Sequence, residues 1–224
     1  LDGVNIKFVP DPEVALAALQ TGDIDWYPDF SESDIATVGA LEPTVHLMVK
    51  PGFDFEHYFF NLGVKDGVKD ASGAVLPNSQ ADKDGFCPFK DVRVRKAITL
   101  GINRQAIVED LLAGKTIIPA TQWTGSEWNN TRLRPDPYDP DTAKQLLAEA
   151  GYTPGPDGIL HGMCNGMDTR LSFNFETTTS PIRIAIATVA QADLAKIGVE
   201  FTPIHTPAGT FFGQYVDGGP LTTG

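Results

Sequence analysis

The stretch that decides the fold is "TRLSFNFETTTSPIRIAIATVAQADLAKIGVEFTPIH", residues 169–205. Its beginning alternates apolar and polar residues, and the apolar side chains share one face, which predicts a strand. Ser180 and Pro181 predict the start of a long helix, because serine caps helices and proline fits the first turn. Residues 199–205 predict a second strand. Strands that alternate with helices indicate the α/β class.

A second stretch, "FKDVRVRKAITLGINRQAIVEDLLAGK" at residues 89–115, concentrates positive charge in a chain with 17 Lys and Arg residues. It could be a helix that binds nucleic acid, or a pair of scaffold helices whose charges face water. Asp91 and Asn103 are predicted helix caps, and apolar residues recur after each at helical spacing. These helices therefore have apolar faces to bury, and their arginines are predicted to face solvent.

Charge and length limit the classes of protein that fit. The formal net charge is −12 and the pI about 4.6, which argues against general affinity for nucleic acid or anionic membranes. The 224 residues suffice for one large α/β domain or two smaller ones. No apolar run approaches the roughly 20 residues of a membrane span. Residues 63–88 are rich in Gly, Asp, Asn and Ser without helical periodicity, which predicts a long loop or insertion.

The sequence offers no catalytic constellation. Its four histidines are scattered, and it has no nucleophile elbow, no P-loop and no dinucleotide-binding glycine motif. Enzymatic function is therefore not expected.

Aromatic residues offer candidates for ligand binding. Trp123 and Trp128 lie among Gly, Ser, Thr and Asn, a mixture that suits an organic ligand or, equally, a loop whose tryptophans pack on the core. Around residue 58 the side chains alternate, so His57 and Tyr58 should lie on opposite faces of a strand.

The two cysteines, Cys87 and Cys164, lie in Gly- and Asp-rich sequence without CxxC spacing, so neither zinc nor a redox dithiol is expected. Composition alone favours two buried thiols. Their position in loops leaves a disulfide open if the compartment is oxidising.

Several motifs resemble the peptide-type solute-binding proteins of ABC importers, the oligopeptide-, dipeptide- and nickel-binding family. The resemblance covers most of residues 4–205 and is carried by "IKFVPDPEVALAALQTGDID" (6–25), "YFFNL" (58–62), "PFKDVRVRKAITLGINRQAIVEDLLAGKTIIPA" (88–120), "YDPDTAKQLLAEAGY" (138–152) and "ADLAKIGVEFTPI" (192–204). The family uses its arginine-bearing helix as scaffold, which agrees with the solvated interpretation of residues 89–115.

The resemblance implies a partial α/β fold of the two-lobe periplasmic-binding-protein type. Residues 1–62 would be a portion of the first lobe that ends in a crossing strand, and residues 63–88 an insertion. Residues 89–224 would form the second lobe, truncated at its C-terminus. The sequence is thus expected to be a piece of a longer protein that carries half of a binding cleft.

The resemblance also suggests ligand-facing positions. These are His57 and Tyr58 on the strand before Asn61, and Thr178, Ser180 and Arg183 where the long helix begins. Weaker candidates at the edge of the cleft are Trp123 and Tyr215. In an extracytoplasmic protein, a Cys87–Cys164 disulfide becomes the better expectation. No catalytic residue, metal site or cofactor is expected.

The expected function is capture of a solute, an oligopeptide above others, and its delivery to the permease of an ABC importer. The expected location is extracytoplasmic, in the periplasm or at the cell surface. Membrane contact would come only through an anchor outside this sequence, and nucleic acid is not an expected partner. A metal-chelate-binding relative, for example a nickel binder, is the alternative, and an enzyme on the same lobes is a weaker one.

Overall fold

The computed structural model describes residues 2–28, 30–50, 52, 54–62 and 85–215. Its helices are α1 (Pro12–Thr21), α2 (Ile35–Gly39), α3 (Val92–Gly101), α4 (Arg104–Ala106), α5 (Pro140–Glu149), α6 (Pro181–Ala195) and α7 (Ala208–Tyr215). Short 3-10 turns at Glu32–Asp34 and Cys87–Lys90 precede α2 and α3, and a π-helical turn at Ile107–Leu111 extends α4. Its strands are β1 (Thr153–Pro154), β2 (Leu160–Cys164), β3 (Met167–Arg170), β4 (Ser172–Thr178) and β5 (Glu200–Thr206).

A strand–helix–strand unit lies at the centre of the fold, as residues 169–205 predict. Strands β4 and β5 pair in parallel, from Ser172 opposite Glu200 to Thr178 opposite Thr206, and α6 connects them and packs on β5. The chain leaves α6 through Gly198, whose φ of 78° favours glycine. A Cβ on this residue would also lie 2.8 Å from Leu160 Cγ. The α/β expectation is confirmed.

The second sheet was not predicted. Strands β1, β2 and β3 form an antiparallel sheet in which Cys164 lies opposite Met167. Two residues with positive φ, Asn165 and Gly166, make the turn between β2 and β3. Asn-Gly between short extended segments is a strong hairpin signal, so the sequence contained the information.

The core lies between α3, α5, α6 and the parallel strands. Fully buried side chains include Val94, Leu147, Leu171, Leu194 and Val199. The predicted apolar face of α3 is confirmed, since Val94, Ala97, Ile98 and Ile102 are all buried.

The basic residues of α3 serve the scaffold. Asp91 caps the helix by accepting from the backbone N–H of Arg93, and the Arg93 side chain donates to Asp91 and, at 2.6 Å, to the carbonyl of Glu149. Lys96 forms an ion pair with Asp136. These contacts tie α3 to α5 and to the loop before it, which supports the scaffold interpretation of residues 89–115.

The sequence predicts strands at residues 4–9, 23–28, 44–50 and 56–62, where short runs of apolar residues suggest extended chain. These predictions are wrong, because none of the four segments is a strand in the described part of the chain. An extended segment becomes a strand only when another segment completes its hydrogen-bond ladder, and no described residue does so here. Helix α1 forms as predicted, capped by Asp11 and ended at Gly22. Its apolar residues predict a buried side made of Val14, Leu16, Ala17, Ala18 and Leu19. That prediction is wrong, since Ala15 is the one buried residue of α1 and Val14 is 57% exposed.

The cysteines form a disulfide, the pairing that the family resemblance suggested. Cys87, in the 3-10 turn before α3, bonds to Cys164 at the end of β2, with their Cα atoms 6.2 Å apart. The bond fastens the hairpin of β2 and β3 to the start of the α3 scaffold. Cys87 lies within the predicted loop at residues 63–88, so regular structure begins slightly earlier than expected. Residues 63–84 lie outside the described part.

Within the described residues, no helix is long and apolar enough to cross a membrane.

Candidate ligand-binding site

The candidate site lies at the carboxyl ends of the parallel strands. Strand β4 ends at Thr178 and β5 at Thr206, and α6 and α7 begin just beyond them. The backbone N–H of Thr179 donates to the carbonyl of Thr206 at 3.2 Å, which keeps the two connections side by side. In open α/β sheets, ligands bind outside the carboxyl ends of the strands, so this edge is where a site is expected.

Thr178 is the fixed point of this edge. It is only 2% exposed, and its Oγ1 accepts hydrogen bonds from Arg183 Nη1 at 3.0 Å and from the backbone N–H of Ser180 at 3.4 Å. Ser180 occupies the N-cap position of α6, but its side chain makes no cap hydrogen bond, so the predicted capping by its hydroxyl is wrong. The Thr178 hydroxyl instead stabilises the turn before α6, because it accepts the hydrogen bond from the Ser180 N–H.

Arg183 projects from the first turn of α6 and is held on three sides. Its Nε and Nη2 donate to Glu56 Oε1 at 3.0 and 2.7 Å, and its Nη1 donates to Thr178. The ring of Phe212, on α7, has its centroid 6.0 Å from the guanidinium carbon. Arg183 is therefore a partly exposed cation with a defined position at the strand ends.

Residues 54–62 lie beside β4 and run antiparallel to it. Along this segment Glu56 meets Arg183 near the end of β4, and the Tyr58 ring packs 4.8 Å from Phe175. Farther along, Phe60 packs against Phe89, which in turn contacts Phe173 near the start of β4. The side chains of Tyr58 and Phe60 thus face the parallel sheet of β4 and β5 and its core.

The odd-numbered side chains of this segment form a separate aromatic row. The His57 ring lies 5.1 Å from Phe55 and 4.1 Å from Phe59, and all three side chains are exposed. The predicted alternation is therefore confirmed, and His57 and Tyr58 point to different sides. Tyr58 lies on the face of the segment that packs against β4, and His57 lies on the opposite face.

Tyr58 carries a buried hydroxyl at the border between this segment and the sheet. Its ring packs on Phe175 and Phe201, and the hydroxyl has no hydrogen-bond partner among the described residues. Burial, with a smaller contribution from the nearby Glu56 carboxylate, raises the pKa of Tyr58 to about 12. The phenol is therefore neutral at physiological pH.

A small cavity beneath Tyr58 is too small to be the ligand site. Its volume is about 90 Å³, and aromatic side chains make up much of its lining, among them Tyr58, Phe60, Phe89, Phe173 and Phe175. Ligand pockets usually measure roughly 300–1,000 Å³. A ligand would thus contact the open edge at Thr178 and Arg183 rather than this cavity.

The two remaining ligand-binding candidates, Trp123 and Tyr215, have no described contact with Thr178 or Arg183. Trp123 is half exposed in a turn whose hydrogen bonds are local, with its carbonyl accepting from Ser126 and its N–H donating to Thr121. The side chain of Tyr215 lies outside the described part. In the residues that the structure describes, no group of three or more His, Cys, Asp or Glu could hold a metal ion.

Sequence reasoning missed Glu56 and Phe212. Alternation around Tyr58 would have placed Glu56 on the same face as Tyr58, but nothing local shows that this face meets Arg183, 127 positions later. Phe212 belongs to α7, where the sequence "AGTFFGQYV" predicts only a short helix.

The sequence of this chain matches that of a known protein family. The sequence profile of the family described as bacterial extracellular solute-binding proteins, family 5, middle part, matches residues 1–220. The chain belongs to this family. Solute-binding proteins, rather than enzymes, make up the family, and its extracellular character agrees with the extracytoplasmic location inferred from the sequence.

Individual relatives give the same fold and differ in ligand. Heme-binding protein A of Haemophilus influenzae is 30% identical over 91% of this chain, and the oligopeptide-binding protein AppA of Bacillus subtilis is 31% identical over 89%. The structure of AppA in complex with a nonapeptide matches 92% of the chain with a TM-score of 0.61 and 26% identity, and the chain covers 36% of it. The chain spans about a third of these relatives, 31% and 33% of the two sequences. The partial two-lobe fold is thereby confirmed.

Proposed function

We propose that this chain is part of an extracytoplasmic solute-binding protein that captures peptides and delivers them to the permease of an ABC importer. The observation that carries the proposal is the family match over residues 1–220. Relatives whose names specify oligopeptides, and a structure with a bound nonapeptide, favour peptides as the ligand class.

The geometry at the strand ends supports a peptide ligand. Free backbone N–H groups at the start of α6 suit carbonyl or carboxylate oxygens. The partly exposed Arg183 side chain offers a cation. A peptide presents the matching acceptors along its backbone whatever its side chains are, which suits a transport protein that accepts many sequences.

No catalytic role is part of the proposal. The groups at the site are held by hydrogen bonds and packing, and none of the described contacts pairs a nucleophile with a base there. A metal-chelate ligand is the alternative that the sequence left open, and it is tested beside peptides.

Isothermal titration calorimetry of the 224-residue chain tests the proposal. Defined peptides of two to five residues should give saturable heat, whereas heat from nickel–histidine or hemin alone would assign another ligand class. Thr178→Val, which removes the hydroxyl that orients Arg183, should weaken peptide binding. The matched control is Thr188→Val on the exposed side of α6, where the hydroxyl bonds only to the carbonyl of Ile184. No heat from any peptide would contradict the proposal.

A further inference from the structure

The ion pair between Glu56 and Arg183 joins two segments that are 127 positions apart and meets at the candidate site. We propose that Glu56 is an internal counter-ion that occupies the Arg183 guanidinium until a ligand carboxylate displaces it, and so sets the affinity for anionic ligand groups. The identity of that carboxylate as a peptide's rests on the proposed function.

The position of Glu56 allows its carboxylate to dissociate from Arg183. Its side chain is 60% exposed, and both hydrogen bonds from Arg183 converge on one of its oxygens, Oε1. A carboxylate that approaches the guanidinium in line can use both oxygens in two parallel hydrogen bonds, which is the stronger arrangement. An exposed pair is also weak, because water solvates both charges well. Displacement by a better-aligned carboxylate is therefore energetically accessible.

Arg183, by contrast, is held in position by contacts that do not involve Glu56. Its side chain is 28% exposed, its Nη1 donates to the buried Thr178 hydroxyl, and its guanidinium faces the ring of Phe212. Neither contact involves Glu56, so the cation keeps its position when Glu56 moves away. A preorganised cation with a removable counter-ion discriminates between ligands with and without a negative group, because only the former compensates for the loss of Glu56.

The charges near the pair are consistent with this role. Tyr58, the next even-numbered residue of the segment, is neutral and cannot replace the Glu56 carboxylate. Among the described contacts, Glu56 supplies the carboxylate that pairs with Arg183, so Glu56→Gln opens the guanidinium to an external anion.

The test follows the Arg183 Nε–H resonance by NMR in the 224-residue chain during titration with trialanine or trialanine amide. In Glu56→Gln, trialanine should shift this resonance at concentrations about five-fold lower than in the wild type, the upper range for an exposed pair. The amide, which lacks the carboxylate, should not show this gain. Asp54→Asn, which removes the same charge from an exposed position in the same segment, should behave like the wild type.

Each contrary result is decisive. Equal responses of wild type and Glu56→Gln, equal gains for trialanine and its amide, or no response of Arg183 in any variant would overturn the counter-ion role. The calorimetry described above is read separately. Peptides that bind wild type and Glu56→Gln equally would overturn the counter-ion role and leave the proposed function standing. Saturable heat from hemin or nickel–histidine, with none from peptides, would overturn the proposed function, and the counter-ion role would then be judged from the Arg183 titration alone.

Discussion

At the scale of single residues, the buried hydroxyl of Tyr58 reduces the stability of the unliganded chain. A buried hydroxyl without a partner costs stability, because it has lost its hydrogen bonds to water. Tyr58→Phe keeps the packing against Phe175 and Phe201 and removes the unpaired group, so it should stabilise the unliganded chain by about 1 kcal/mol. Urea denaturation measures the change. A loss of stability would show that the hydroxyl has a partner.

The same residue gives a pH dependence whose sign follows from its shift. Burial raises the pKa of Tyr58 to about 12, above the usual value of 10.0. The neutral phenol favours folding, so its contribution is full below pH 10 and is lost as the pH rises through 12. Between these values the wild type should lose stability relative to Tyr58→Phe, which has no phenol to ionise. In titrations followed by absorbance at 295 nm, the ionisation step near pH 12 should be smaller in the variant, although burial also raises the pKa of Tyr152.

At the scale of elements, the contact between α3 and α6 depends on a missing side chain. A Cβ on Gly101 would lie 2.7 Å from Ile197 Cδ1 and 3.3 Å from Leu194 Cδ2. Gly101→Ala should therefore destabilise the chain by about 1–3 kcal/mol through overpacking, despite the better helix propensity of alanine. Gly209→Ala in α7, where nothing lies within 4 Å, is the control and should be neutral or slightly stabilising. Equal effects of the two changes in thermal denaturation would contradict the close packing.

The disulfide is the second device at this scale. It closes a loop of 77 positions and connects the hairpin of β2 and β3 to the turn before α3. Reduction should lower the free energy of unfolding by about 2–5 kcal/mol. Denaturant unfolding with and without reductant measures the difference, and the double variant Cys87→Ser, Cys164→Ser should be insensitive to reductant. An unchanged midpoint in the wild type would argue against this bond in solution.

Elements differ in how far the sequence predicts them. Helix α3 was predictable with its cap and buried face, because Asp91 and the spacing of Val94, Ala97 and Ile98 are local signals. The strands expected before residue 63 carry the right alternation but lack a partner in the described part, and pairing is a non-local property. The hairpin at Asn165 had a local signal that was overlooked.

At the scale of the whole molecule, the site depends on segments that are distant in sequence. Thr178 and Arg183 could be proposed only by resemblance to a known family, because a threonine and an arginine near a helix start are common. Glu56 could not be proposed, since its role exists only where residues 54–62 lie against β4. The negative charge of the molecule, −12 overall, predicts neither its fold nor this cation at the strand ends.

A ligand bound at the carboxyl ends of β4 and β5 should protect the backbone of the connections that follow these strands. Hydrogen–deuterium exchange of the 224-residue chain, with and without a saturating mixture of tri- to pentapeptides, tests it most directly. The prediction is slower exchange in residues 178–186 and 206–212, with little change in residues 117–134 around the two loop tryptophans. Protection confined to residues 117–134, or none at the strand ends, would contradict the claim.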